Sequence, residues 1–151
     1  VVISGGALGI DSMAHQGALD GEGRTVAVLG TPAGRIYPSV NRILFSHILS
    51  RGGALVSEHP PGGSTYKSDQ VLRNRLIAGL SLGLVVAEAG QRSGSLHTAC
   101  ETFRLGRQIV VAPREVRGNR EGLERLVGKG AYEDGQWQRA VSPIVNRSER
   151  V

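Results

Sequence analysis

Cysteine, aromatic residues and long apolar runs are all scarce in this chain of 151 residues, and each scarcity narrows the function. Cys100 is the single cysteine, so no internal disulfide can form. The lone thiol agrees with a reducing compartment and reads as a small apolar residue on a helix. His15, His47, His59 and His97 are dispersed, with no pair at the short spacing two ligands on one element need, so no metal site is expected and each reads as a surface or capping histidine. No stretch approaches the ~20 apolar residues of a membrane span. The start, Val1-Val2-Ile3-Ser4, has neither the charged n-region nor the apolar stretch of a signal peptide. A soluble, cytoplasmic protein with no membrane partner is expected. Aromatic residues make up 4% of the chain, and Phe45 and Phe103 fall at core-like helical positions. That leaves mainly Tyr37 and Tyr66 for stacking on a ligand, so any polymeric ligand is gripped by its backbone.

What is abundant is positive charge in one place. The formal net charge is +5, yet residues 1–60 balance, four arginines against four carboxylates, and so do residues 121–151, five against five. Residues 61–120 hold nine Lys/Arg against Asp69, Glu88, Glu101 and Glu115, so the whole excess lies in the middle of the chain. A polyanionic partner follows, the alternative being a solvated arginine-rich face.

Apolar runs at about 1–4, 25–30, 54–58, 83–88 and 108–112 alternate with amphipathic stretches at about 10–20, 41–51, 72–81, 95–105 and 119–128. Strands separated by helices imply right-handed crossovers and a three-layer α/β fold: a mostly parallel sheet of about five strands, with helices on both faces. The length fits one domain, burying roughly 68–70% of the surface of the unfolded chain. Residues 1–132 are read as a Rossmann-like core and 133–151 as a polar tail. Ligands in such sheets bind at the carboxyl ends of the strands, where every unusual motif of this chain falls.

Three motifs point to phosphate. Arg73-Asn74-Arg75 opens an apolar helix, where guanidinium forks meet the positive end of the helix dipole. Ser4-Gly5-Gly6-Ala7-Leu8-Gly9-Ile10-Asp11 has the spacing of a glycine-rich cradle or of a plain tight turn; it is neither a dinucleotide fingerprint nor a P-loop. Arg92-Ser93-Gly94-Ser95-Leu96-His97-Thr98 is a small-residue turn opening another helix.

Together these segments resemble the DNA-processing protein A (DprA/Smf) family over roughly residues 1–131. The match includes Ser4-Gly5-x-Ala7-x-Gly9-Ile10-Asp11, Tyr37-Pro38-x-x-Asn41, Ser57-Glu58-x-Pro60, Arg73-Asn74-Arg75-x-Ile77-Ala78-Gly79-Leu80-Ser81 and Ser93-Gly94-Ser95-Leu96-x-Thr98-Ala99. The resemblance implies a non-enzymatic protein that needs no cofactor or metal, binds single-stranded DNA, loads a RecA-type recombinase and serves natural transformation and recombination, commonly as a homodimer. Carried over position by position, it implies that Arg73 and Arg75 contact phosphates. Because the two flank one residue they cannot both point the same way as the helix begins, so one is expected to face the groove while the other braces the loop through Glu58. Asn74 fixes the loop or bonds sugar or base, and Lys67 adds loop charge. Backbone amides at Gly5, Gly6, Gly94 and Ser95 form the cradle, Thr98 donates a hydroxyl, and Gly9 and Arg92 complete the set. Asn41 and Ser57 read as structural.

Two departures stand out. Leu8 occupies a position usually held by arginine in the family, and Gln70 replaces an aromatic residue. Relative to the family pattern the sequence starts inside the second strand. Thr98-Ala99-Cys100-Glu101 also resembles the helix of the lonely-guy nucleotide phosphoribohydrolases, but Ser93-Gly94-Ser95 lacks two of the glycines their turn uses. That hydrolase, or a nucleotide-sensing module without turnover, is the alternative reading.

Overall fold

A computed structural model describes residues 1–113 and 118–133. The chain divides into two compact units, Val1–Ile77 and Ala78 onward.

In the first unit, β1 (Val2–Ser4), β2 (Thr25–Leu29) and β3 (Ala54–Ser57) pair in parallel in that order, with Val2 opposite Thr25 and Val28 opposite Val56. The central strand β2 is buried except for half-buried Val26, as expected of a near-continuous apolar run. Parallel neighbours need crossovers, supplied by α1 (Ile10–Asp20) and by α2 (Arg42–Ser50), which is entered through a 3₁₀ turn at Ser39–Asn41. Ala27 and Leu29 pack against Phe45 and Ile48 of α2 to form the core.

In the second unit, β4 (Gly83–Val86), β5 (Gln108–Val111) and β6 (Tyr132–Glu133) are again parallel in sequence order, with α5 (Gly94–Arg104) and α6 (Glu121–Val127) as crossovers. Val86, Ala99, Ile109, Val111, Leu123 and Leu126 belong to its core. Ser93 caps α5, its Oγ accepting the Ser95 N–H at 3.3 Å.

The α/β alternation is therefore as expected, with three departures in detail. The strands form two three-stranded sheets, and β6 is a sixth strand that begins one residue before the expected tail. It has only two residues, and Tyr132 is exposed, so it offers no apolar run to read. The rest of that tail, 134–151, lies outside the described residues, as do Arg114, Glu115 and Arg117. The helix expected over 72–81 is two pieces, α3 (Asp69–Leu72) and α4 (Asn74–Leu80), broken at Arg73. Cys100 is exposed, on the side of α5 away from buried Thr98, Ala99 and Thr102.

Candidate functional site

At the break, Arg73 turns inward. Its side chain is 8% exposed and its guanidinium is taken up by the protein: Nη1 donates to the Gly5 carbonyl at 2.6 Å and to the Val28 carbonyl, and Nε donates to Asn74 Oδ1 at 3.0 Å. Burial pulls its pKa down from the usual arginine range, and Asp11 opposes that shift. A Cβ on Gly5 would collide with this guanidinium. At Gly6 the φ of +67° and the Phe45 ring, 2.6 Å from where a Cβ would sit, exclude a side chain. Asn41 holds the turn from the other side, Nδ2 donating to the Gly6 carbonyl and to Ser12 Oγ, both at 2.9 Å. Ala7 N–H donates to Asp11 Oδ2 at 3.1 Å, so the opening of α1 already holds a carboxylate. The glycine turn is thus built around an arginine, with Gly9 exposed at its far end.

Behind it lies His15, fully buried against the expectation of a surface or capping histidine. Thr25 spends its hydroxyl proton on the Val2 carbonyl at 2.8 Å, so at 2.7 Å it accepts from His15 Nδ1–H. Nε2 is then an unprotonated, buried nitrogen with no hydrogen-bond partner. Burial lowers the His15 pKa, Asp11 raises it and Arg73 lowers it further.

Arg75 behaves oppositely to Arg73. It is exposed, and its Nη2 donates to Glu58 Oε1 just beyond β3. The two arginines do divide into an inward brace and an outward cation, but Glu58 belongs to the outward one and the brace holds backbone carbonyls. Both arginines line a cleft of about 330 Å³ at the carboxyl ends of β2 and β3, with Leu29, Glu58, His59, Asp69 and Leu72. Ser57 fixes the β3 end of the cleft by donating to the Thr31 carbonyl at 2.6 Å and accepting the His59 N–H at 3.1 Å. Asp69 Oδ2 accepts the Tyr66 N–H at 2.7 Å and lies 3.7 Å from His59 Nε2. Lys67 is exposed between Tyr66 and Asp69; Asn74 is buried beside Arg73. The sequence reading took Asp69 only as a charge and His59 only as a surface or capping histidine, and it began the helix at 72, so it gave no sign that the two meet.

The second unit gathers the other expected residues. Arg92 and Gly94 are exposed, Ser95 is half-buried, and Thr98 is buried at 7% exposure. A ligand meets the first three more readily than Thr98. Glu101, the acid the hydrolase reading would need, lies 2.8 Å from Arg104 on its own helix. Among the described residues no group of three or more His, Cys, Asp or Glu could hold a metal ion, and no helix is long and apolar enough to cross a membrane.

Residues 1–143 match the model of the DNA recombination-mediator protein A family. The chain is 40% identical over 132 residues to DNA processing protein DprA of Streptococcus pneumoniae, covering 87% of this chain and 46% of that protein. It is 42% identical over 132 residues to protein Smf of Escherichia coli, covering 86% and 35%. The X-ray structure of the Streptococcus pneumoniae protein superposes with a TM-score of 0.81 at 37% identity, covering 93% of this chain and 50% of that one. A structure of DNA processing protein A from Helicobacter pylori, which concerns the single-stranded DNA binding mode of that protein, gives 0.84 at 27% identity, covering 97% and 66%. The chain spans less than half the length of the two curated relatives.

Proposed function

The chain belongs to the DNA recombination-mediator protein A family, and from that premise we propose that it binds single-stranded DNA by its phosphate backbone and passes the strand to a RecA-type recombinase. On this reading it is a non-enzymatic, cytoplasmic protein of DNA processing in transformation and recombination, with residues 1–132 as the working core and a homodimer as the assembly. The observation that carries the reading is exposed Arg75 on a cleft of about 330 Å³ at the strand ends. Lys67 adds charge on the same unit, where Arg73 and Asn74 set the position of Arg75; on the second unit, Arg92 and the turn at Gly94 and Ser95 offer charge and backbone donors of their own. The Helicobacter pylori relative, whose structure concerns single-stranded DNA binding, supports the choice of polymer.

Titration with a single-stranded oligonucleotide, a duplex and mononucleotides at several salt concentrations tests it. With about 3–5 phosphates neutralised, the log–log salt slope for the single strand is roughly −2 to −3.5. Mononucleotide binding as tight as strand binding would overturn the reading in favour of a nucleotide sensor.

A further inference from the structure

Arg75, the outward cation of the triplet, is already engaged. Its guanidinium donates to Glu58, the two side chains are 55% and 37% exposed, and both line the cleft. Carboxylate and phosphate compete for the same planar fork of donors, so a ligand phosphate can take this edge of Arg75 only after Glu58 has left it. The other carboxylate of the cleft is not a competitor: Asp69 is 6% exposed and its Oδ2 accepts the Tyr66 N–H.

We propose that Glu58 is an internal substitute for the ligand's phosphate, and that exchanging it for the strand sets both the affinity and the salt dependence of this site. The inference rests on the reading of the site as one for single-stranded DNA. When a phosphate moves onto Arg75 it gives up its condensed counterion, which added salt opposes. The Arg75–Glu58 pair that must break is itself weakened by salt, which offsets part of that loss, so this contact adds less than its full share to the salt slope while Glu58 is present. Without that carboxylate the contact recovers its full share, about 0.7 in the slope for a single strand. An exposed ion pair holds by no more than about fivefold in an equilibrium constant, which bounds the gain in affinity.

The test uses the parent, Glu58→Gln, Arg75→Ala and the double variant, titrated with a fluorescent single-stranded oligonucleotide from low to moderate salt. Glu58→Gln is expected to tighten binding about two- to fivefold at low salt and to make the slope more negative, by no more than about 0.7. In the Arg75→Ala background the same substitution changes neither quantity. Unchanged or weaker binding by Glu58→Gln with an unaltered melting curve overturns the proposal. So does a gain that survives in Arg75→Ala, since that reflects overall charge alone. If parent and variants all fail to bind oligonucleotide, the DNA reading fails and tripolyphosphate decides the role of Glu58. A gain that requires Arg75 then upholds it, and no gain overturns it.

Discussion

Arg73 Nη1 lies 2.6 Å from the carbonyl oxygen of Gly5, and no side chain can be added at Gly5 without meeting that guanidinium. The two positions, 68 residues apart in sequence, therefore act as one unit of packing. Arg73→Ala leaves the carbonyls of Gly5 and Val28 and the Oδ1 of Asn74 without this donor, and is expected to cost about 2–4 kcal/mol. Gly5→Ala forces the guanidinium aside and should cost about 1–3 kcal/mol. In the Arg73→Ala background the Gly5→Ala cost should shrink by at least about 0.5 kcal/mol, because the obstacle is gone. Urea denaturation of the four proteins gives the coupling. Strictly additive costs would show that the two residues do not meet.

A second arginine closes a helix. Arg107 Nη1 donates to the carbonyls of Ala78, Gly79 and Ser81, the Gly79 contact at 2.7 Å, and so serves the carboxyl end of α4, where carbonyls lack intrahelical partners. Arg107→Ala is expected to lower stability by about 1–3 kcal/mol. Arg107→Lys should recover only part of that, since an ammonium is a compact point donor. Thermal melts of the three proteins check both statements, and a lysine variant as stable as the parent would remove the geometric argument.

Periodicity and turn residues placed the strands and helices because the core obeys them: Val28, Ile48 and Ile109 are buried where their spacing puts them. The division of labour within Arg73-Asn74-Arg75 was legible only as a necessity, since two residues of alternate position cannot point one way. Which of them turns inward depends on the open space at Gly5, and that is a contact across the fold. His15 was misread for a related reason. One polar residue on a helix gives no sign that Thr25 of the neighbouring strand stands ready to accept its proton. β6 and the Asp69 contacts carry no apolar pattern at all.

His15 gives the fold a pH dependence whose sign follows from its surroundings. Its folded pKa is below the ordinary value of 6.5, chiefly through burial, while in the unfolded chain it titrates near that value. Between the two, the unfolded state binds the extra proton. The stability contribution is therefore complete above about pH 6.5 and is lost as pH falls toward the folded pKa, with a slope of up to about 1.4 kcal/mol per pH unit. Denaturation at pH 7.5, 6.5, 6 and 5 should show the decline. His15→Asn, which keeps a donor for Thr25 and cannot titrate, should flatten the part of it between about pH 6.5 and 5. An identical decline in that variant would assign the effect to carboxylates instead.

Leu8 is 65% exposed in the turn ahead of α1, on the same unit as Arg75, and contributes nothing to the core. Replacing it with arginine adds a cation at an open surface position beside backbone already organised by Arg73 and Asp11. A positive charge at a helix start is mildly unfavourable, but Asp11 in the first turn offsets it, so stability should move by no more than about 0.5 kcal/mol. If the strand passes this turn, Leu8→Arg should tighten single-stranded binding by about 1 kcal/mol and steepen the salt slope by about 0.7, and Leu8→Glu should do the reverse. Both changes are read from the same oligonucleotide titration used for Arg75. If neither substitution alters affinity or slope while Arg75→Ala still weakens binding, the strand crosses the cleft at β3 without reaching the glycine turn, and the part of the site around Gly5, Gly6 and Gly9 serves the fold alone.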